Sequence, residues 1–192
     1  MSSPVNAPAL SQFGASGSAG YVINTACSEL QSNSNSPYGN VFQYDETNGT
    51  NCGFEAWKVL TNGNAENGKG YSVAKTGAGK LTLTGEANLD PVYLLGDLTN
   101  SGWANITAQG RPLASGWYLM GNPYLADLNL QTDLGPGVDA QVQIWNALTG
   151  QFEPYVVGVD PVVPIAPFQA FMVHKTTVGG TAPAVINGSD RT

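Results

Sequence analysis

Two stretches of this chain follow the same pattern: Val41–Gly49, with the sequence VFQYDETNG, and Val142–Gly150, with the sequence VQIWNALTG. Each begins with alternating apolar and polar residues and includes one aromatic side chain, Tyr44 in the first and Trp145 in the second. Each then becomes polar and closes on a Thr and a Gly. Alternation with a period of two is typical of a β-strand with one buried face, and the polar end is typical of a turn.

The similarity continues on both sides of these stretches. Three further pairs of segments match: FEAWKV at 54–59 with FEPYVV at 152–157, GYSVAK at 70–75 with AFMVHK at 170–175, and SPV at 3–5 with NPY at 122–124. The offset is about one hundred residues for three of these four pairs of segments and larger for the pair nearest the amino terminus. We therefore predict two pseudo-repeated halves within one compact domain, residues 1–115 with Cys-bearing insertions and residues 116–192.

Turn signals built from Gly, Asn and Pro separate short strand-like segments along the whole chain. The cleanest alternation is in Lys80–Thr84, whereas helical patterns are limited to single turns at Pro8–Phe13 and Asp127–Leu130. The Pro-rich segment Asp160–Pro167 is expected to run extended over a sheet edge, because proline cannot donate a ladder hydrogen bond. The predicted fold is all-β, an antiparallel sandwich or a jelly-roll-like arrangement.

Composition excludes some classes of function. Charged residues make up only 11% of the chain, the net charge is −7, and the two arginines, Arg111 and Arg191, are far apart. Nucleic-acid binding needs clustered Lys and Arg to neutralise phosphates, so it is not expected. No apolar run approaches the length of a membrane span. A polar but weakly charged surface suits an extracellular protein, or one that packs against copies of itself.

The two cysteines, Cys27 and Cys52, both lie in segments that the first half has and the second half lacks. Two insertions with one cysteine each suggest a disulfide between them, which would imply an oxidising compartment. The alternative is a pair of free, buried thiols.

The segment Gly116–Tyr124, GWYLMGNPY, resembles the motif G-W-x-L-x-G-N-P-Y of a module common in secreted and surface proteins of Bacteroidota. In that module a motif I-x-P-x-Q-x-F-F/M-V follows, and Ile165–Val173 matches it. Segments of the type S-S-P-V and G-K-G-Y precede these motifs, and Ser2–Val5 and Gly68–Tyr71 match them. The resemblance implies export by type IX secretion and a role as a non-catalytic unit of adhesins, fibres or multidomain enzymes. The C-terminal sorting domain of such cargo is missing from this sequence, so we expect a fragment or a processed product.

Candidate chemical groups are few. A lone histidine, His174, is a poor basis for a triad or a zinc site, and we expect it to be structural. Glu55 and Glu153 occupy matching places in the two halves, which favours a structural role over glycosidase chemistry. No cofactor is predicted. A Ca²⁺ site stays an alternative, because Asp97, Asp139 and Asp160 are isolated carboxylates of the kind that bind this ion together with loop carbonyls.

The aromatic residues complete the expectations. Tyr44, Trp57, Trp145 and Tyr155 are expected in the core, and Trp103, in a Gly/Asn-rich loop, is the candidate for an exposed ligand contact. We predict a non-enzymatic structural or adhesive module, secreted or at the cell surface. Its expected partners are copies of itself, as in a self-assembling fibre, or neighbouring domains of a larger surface protein. The alternative is a carbohydrate-binding accessory module that uses Trp103.

Overall fold

The computed structural model describes residues 1–13, 21–22, 31–32, 41–45, 57–60, 63–73, 82–90, 92–100, 115–131, 134–146, 148–161, 164–179 and 181–192. Regular structure in these ranges consists of β-strands and two short 3₁₀ helices, Leu10–Phe13 and Gly188–Asp190, with no α-helix. The prediction of an all-β fold built from antiparallel sheets is confirmed.

Eleven strands are present in the described ranges. In chain order they are β1 Tyr21–Val22, β2 Gln31–Ser32, β3 Val41–Tyr44, β4 Trp57–Leu60, β5 Tyr71–Val73, β6 Val92–Thr99, β7 Trp117–Gly121, β8 Gln141–Asn146, β9 Gln151–Val156, β10 Ala170–His174 and β11 Thr181–Asn187. They form a four-stranded sheet in the order β7-β10-β8-β9 and a three-stranded sheet in the order β4-β3-β5. Two-stranded sheets pair β11 with β6 and β1 with β2.

The four-stranded sheet forms because its strands alternate between a buried face and an outer face. Val142 and Ile144 of β8 are buried, and Phe171 of β10 lies opposite Ile144 and is completely buried. Apolar side chains of this sheet share one core cluster with Leu98 of β6 and Ile186 of β11. The two sheets therefore pack on a common apolar layer.

The three-stranded sheet has a smaller core cluster of its own, with Leu10, Val41, Ala65 and Tyr71 as the buried residues. Its central strand, β3, pairs antiparallel with β4 on one side and with β5 on the other. In the larger sheet, the inner strand β8 pairs in the same way with β9 on one side and with β10 on the other.

Hydrogen bonds connect the three-stranded sheet and the four-stranded sheet in a reciprocal manner. The backbone N–H of Ser2 donates to the carbonyl of Phe168, and that of Gly121 donates to the carbonyl of Gly68, both at 2.8 Å. Ser2 lies opposite Gly70 of the smaller sheet, just as Gly121 lies opposite Ala170 of the larger one. A Cβ atom on Gly121 would overlap the Cβ of Ser2, so the close approach of the two sheets requires glycine here.

Two sequence expectations are wrong. Lys80–Thr84 was the cleanest strand pattern, yet its described part, residues 82–84, is not in a strand. The backbone N–H and C=O of Thr84 bond to the side-chain amide of Gln12 instead. Asp127–Leu130 forms no helical turn, because Leu128 makes β-bridges to Ile165 and Arg191. The single turn predicted within Pro8–Phe13 is confirmed as the 3₁₀ helix Leu10–Phe13.

Candidate functional site

Four of the residues singled out by the sequence, Glu55, Cys27, Cys52 and Trp103, lie outside the described residues. The disulfide between Cys27 and Cys52 and the exposed contact at Trp103 therefore stay predictions. Asp97 is placed as part of β6, where its backbone lies opposite Pro183.

His174 belongs to a packed pair of rings at the end of β10. It lies opposite Trp117 of β7, and the two rings stack with centroids 4.8 Å apart and planes inclined by 30°. Its Nε2 atom lies 3.2 Å from the carbonyl oxygen of Ser115. These contacts give the imidazole a role in joining two strands.

Two of the predicted carboxylates, Glu153 and Asp139, each accept a hydrogen bond from a nearby group. Glu153 Oε1 accepts a hydrogen bond from Asn146 Nδ2 at 2.7 Å across the β8–β9 hairpin. Asp139 Oδ1 accepts one from the backbone N–H of Gln141 at 3.0 Å. Among the residues that the structure describes, no three His, Cys, Asp or Glu side chains lie together as metal ligands would.

A shallow cleft lies where the ends of β3 and β7 meet. Its volume is about 190 Å³, and its walls include Tyr44, Asp45 and Tyr118. Small-molecule sites usually measure about 300–1,000 Å³ and are mostly apolar. This cleft is smaller and of mixed polarity, so it does not have the properties of a substrate pocket.

The most distinctive surface feature is an aromatic patch on the β8–β9 hairpin, which we define as Trp145, Leu148 and Phe152. Trp145 and Phe152 lie opposite each other on neighbouring strands, with ring centroids 5.1 Å apart in an edge-to-face arrangement. They are 46% and 44% exposed, and Leu148 at the tip of the hairpin is 97% exposed. Adjacent exposed aromatic rings are typical of contact surfaces, where they are enriched over the rest of a protein's exterior.

This patch corrects the prediction that Trp145 lies in the core. Val142 and Ile144 already face the core, so Trp145, an odd number of residues away, points to the other face of β8. Tyr155 is buried as predicted, and Tyr44 is half-buried. Trp57 and Tyr155 stand at the same place in the matched segments 54–59 and 152–157, but their strand partners differ. Trp57 lies opposite Tyr44, whereas Tyr155 lies opposite Val142, the counterpart of Val41.

Phe152 of the patch lies on β9, the outer strand of the four-stranded sheet, and two of the outward N–H positions of β9 are blocked. The N–H of Val157 points inward to Ala140, so the N–H groups at positions 156, 154 and 152 point outward. Position 154 is a proline without an N–H, and the N–H of Val156 donates to Asp160 Oδ2 at 2.7 Å. Proline and capped donors on an edge strand prevent pairing with another chain. The side chains of Trp145 and Phe152 project from the outer face of the hairpin, so a contact through them does not need an added strand.

Two buried tyrosines, Tyr124 and Tyr155, have pKa values above the ordinary value of the phenol. Burial raises the pKa of Tyr124, against an opposing effect of the Arg191 guanidinium, which lies 4.7 Å from the ring centroid. Burial also raises the pKa of Tyr155, and Asp160 adds to the increase. Both hydroxyls are therefore neutral at physiological pH, and neither is prepared for acid–base chemistry.

Sequence reasoning missed the aromatic patch, although a signal for it existed. The strict alternation of Val142 and Ile144 predicts that Trp145 is on the opposite face from them. Phe152 could be added once the hairpin register is known, because it lies opposite Trp145. Leu148, between the two strands, carries no periodic signal.

The chain matches no known protein family, no curated protein and no solved structure in the comparisons made. Within the described ranges, no helix has the length and apolar character needed to cross a membrane.

Proposed function

We propose that this chain is a non-catalytic structural and adhesive module of a secreted or cell-surface protein, and that it contacts modules of its own kind through the aromatic patch. The observation that carries the proposal is the pair of half-exposed rings, Trp145 and Phe152, packed edge-to-face across the β8–β9 hairpin. Large aromatic side chains with little entropy to lose are the residues that most often dominate binding at interfaces.

The remaining surface supports a contact role. Only 11% of residues are charged, so apposed copies bring few charges out of water. The two rings are about half-exposed in the single chain, so a contact removes further apolar area from water. Each Å² removed stabilises the contact by roughly 25 cal/mol. The resemblance to the Bacteroidota secreted module supports the extracellular location and the adhesive or fibre role.

We also propose that the scaffold is a sandwich-like domain produced by internal duplication. The shared core of the four-stranded sheet and the β6–β11 sheet supports the sandwich. The duplication is supported by matching registers, because Tyr71 lies opposite Gln43 as Phe171 lies opposite Ile144. Val41 and Val142, at the same place in the two central strands, are both completely buried.

The turns before β5 and β10 give independent support for the duplication. Each is closed by a hydrogen bond between residues three apart, from Lys69 to Glu66 and from Gln169 to Ala166. The second turn contains Phe168 with a positive φ of 67°, a conformation that side chains rarely adopt. The first turn has Gly68 at the same place with a φ of 73°.

Sedimentation velocity of the full chain over a wide range of concentrations tests the proposed contact. We expect the chain to associate, and we expect a Trp145→Ser/Phe152→Ser variant to associate at least about tenfold more weakly. Leu89→Ser is the matched control, because Leu89 is 77% exposed and lies outside the patch. A chain that stays monomeric throughout, or a patch variant that associates like the parent, would refute the proposal.

A second candidate function is carbohydrate binding by the same surface. Gln143 lies two residues from Trp145 and therefore shares its face of β8, so a ring for stacking and an amide for hydrogen bonding are adjacent. A glycan array and titration calorimetry test this candidate. Binding that is lost with Trp145→Ala would assign the patch, and binding that is lost only with Trp103→Ala would move the site to the loop. Absence of binding to any glycan would remove the candidate.

A further inference from the structure

The turn that leads into β10 has an unusual residue at its third position. Ala166, Pro167, Phe168 and Gln169 form this turn, which is closed by a hydrogen bond from the N–H of Gln169 to the carbonyl of Ala166 at 3.0 Å. Proline at the second position and a positive φ at the third are features of a type II β-turn, whose third residue is usually glycine or asparagine. Here the third residue is Phe168, with a φ of 67°. The Cβ atom makes this conformation unfavourable for phenylalanine.

Neighbouring segments hold this turn in place. The N–H of Ser2 donates to the carbonyl of Phe168 at 2.8 Å, and the Ser2 hydroxyl donates to the carbonyl of Gln169 at 3.0 Å. The N–H of Asn122 donates to the same Gln169 carbonyl at 3.0 Å. Within the turn, Gln169 Oε1 accepts the N–H of Ala166 at 3.0 Å. A strained residue persists only where its surroundings fix it, so these bonds fix the backbone that presents the Phe168 ring.

Burial alone does not explain why phenylalanine occupies this position. The Phe168 residue is 36% exposed, whereas Phe171, three residues later, is completely buried in the core. The matching turn of the first half has Gly68 at the same place with a φ of 73°, so the turn forms there without a side chain. A strained position that carries a partly exposed ring, where glycine would fit without strain, favours a role of the ring outside the core.

The ring lies at the same end of the four-stranded sheet as the tip of the β8–β9 hairpin. Because neighbouring strands of this sheet are antiparallel, β7 and β8 end where β9 and β10 begin. Three turns follow one another along this end, with Leu125 after β7, Phe168 before β10 and Leu148 after β8. Leu125 is 55% exposed, and Leu148 is almost fully exposed. Exposed apolar side chains therefore continue the aromatic patch across the end of the sheet.

The area of the aromatic patch is small for a stable contact. At their exposed fractions, Trp145, Leu148 and Phe152 offer together roughly 400 Å² of surface. Stable interfaces bury about 800 Å² per partner. Phe168 and Leu125 add roughly 200 Å² at the same end of the sheet, which brings the surface closer to that size.

We propose that the surface that binds a second copy of this chain runs from the aromatic patch across the end of the sheet to Leu125 and Phe168, and that Phe168 is its preorganised contact residue. The inference rests on the proposed function, because the aromatic patch is the other part of the same surface. A ring on a fixed turn loses little entropy on binding, so it contributes more to association than a mobile side chain of the same size.

The variant Phe168→Asn tests the inference, because asparagine accepts a positive φ at this turn position and removes the ring. Val178→Ser is the matched control, since Val178 is 65% exposed between β10 and β11, at the opposite end of the sheet. Sedimentation velocity and thermal unfolding are measured on the full chain for the parent, for both variants and for Trp145→Ser/Phe152→Ser.

We expect Phe168→Asn to associate about fivefold or more weakly than the parent, with a Tm that equals or exceeds that of the parent. Val178→Ser should match the parent in association. Unchanged association of Phe168→Asn would overturn the inference, because the ring would then bind no partner. A Tm lower by roughly 4 °C or more would also overturn it, because the ring would then act in packing.

The same measurements separate this inference from the proposed function. Association that is lost in Trp145→Ser/Phe152→Ser but unchanged in Phe168→Asn would leave the aromatic patch as the contact surface without Phe168. A parent chain that stays monomeric throughout would refute the proposed function, and this inference with it.

Discussion

Replacement of Asn122 by alanine should be among the most destabilising single changes in this protein. Its side chain is completely buried at the end of β7, and its Nδ2 donates to the carbonyls of Ala126 at 2.9 Å and Ile165 at 2.8 Å. Its Oδ1 accepts the N–H of Tyr124 at 2.9 Å. One amide thus joins three separate main-chain groups.

The expected cost follows from these three bonds. Each contributes about 1 kcal/mol net, and each buried group left without a partner costs about 1–3 kcal/mol. Partial relaxation around the smaller side chain gives a total of about 3–5 kcal/mol for Asn122→Ala. At this chain length the loss corresponds to a fall in Tm of roughly 6–20 °C.

Ser3→Ala provides the comparison, because Ser3 begins the corresponding turn of the first half. Its hydroxyl bonds to the main chain of Val5, accepting from the N–H at 3.3 Å and donating to the carbonyl at 2.8 Å. We expect a loss of about 1 kcal/mol. Urea unfolding monitored by circular dichroism measures both variants. If Asn122→Ala costs no more than Ser3→Ala, the importance assigned to the Asn122 amide is wrong.

Three further predictions concern the sheet junction, the amino terminus and the sheet edge. Gly121→Ala should lower the free energy of unfolding, measured in urea, by about 2 kcal/mol or more, because the new Cβ would overlap Ser2. Gly150→Ala is the control: the space around it is open, so we expect a loss of about 1 kcal/mol from backbone strain at its positive φ. The free energy of unfolding should fall by about 2 kcal/mol as pH is lowered from 8 to 6. Burial lowers the pKa of the Met1 amino group from 8.0 to about 6, so over this range the unfolded chain binds a proton that the folded chain does not. Acetylation of the amino group should abolish the change. Pro154→Thr combined with Asp160→Ala restores outward donors on β9 and should produce light-scattering aggregates, and unchanged solubility would show that the edge is protected in another way.

The fold could be predicted wherever burial and local pattern agree. Val41 and Val142 start alternating segments, and both segments form central strands with these valines completely buried. Lys80–Thr84 alternates just as clearly but fails over its described part. The backbone of Thr84 bonds to Gln12, 72 residues earlier, and no local pattern reveals that contact.

The candidate site was less predictable, because it depends on which strand lies at the edge of a sheet. An aromatic residue in an alternating segment is more often buried than exposed, and this tendency led to the wrong placement of Trp145. Pro154 is visible in the sequence, but its protective role depends on the position of β9 and on the bond from Val156 to Asp160. Both are properties of the folded chain.

Photo-crosslinking from the tip of the β8–β9 hairpin tests the proposed contact surface most directly. Leu148 is 97% exposed beside Trp145, so a benzoylphenylalanine at this position should crosslink to a second copy of the chain in native material. The same group at Leu89, which is 77% exposed outside the patch, should give little intermolecular product. Crosslinking between copies that is equal at both positions, or stronger from Leu89, would contradict the assignment of the aromatic patch as the contact surface.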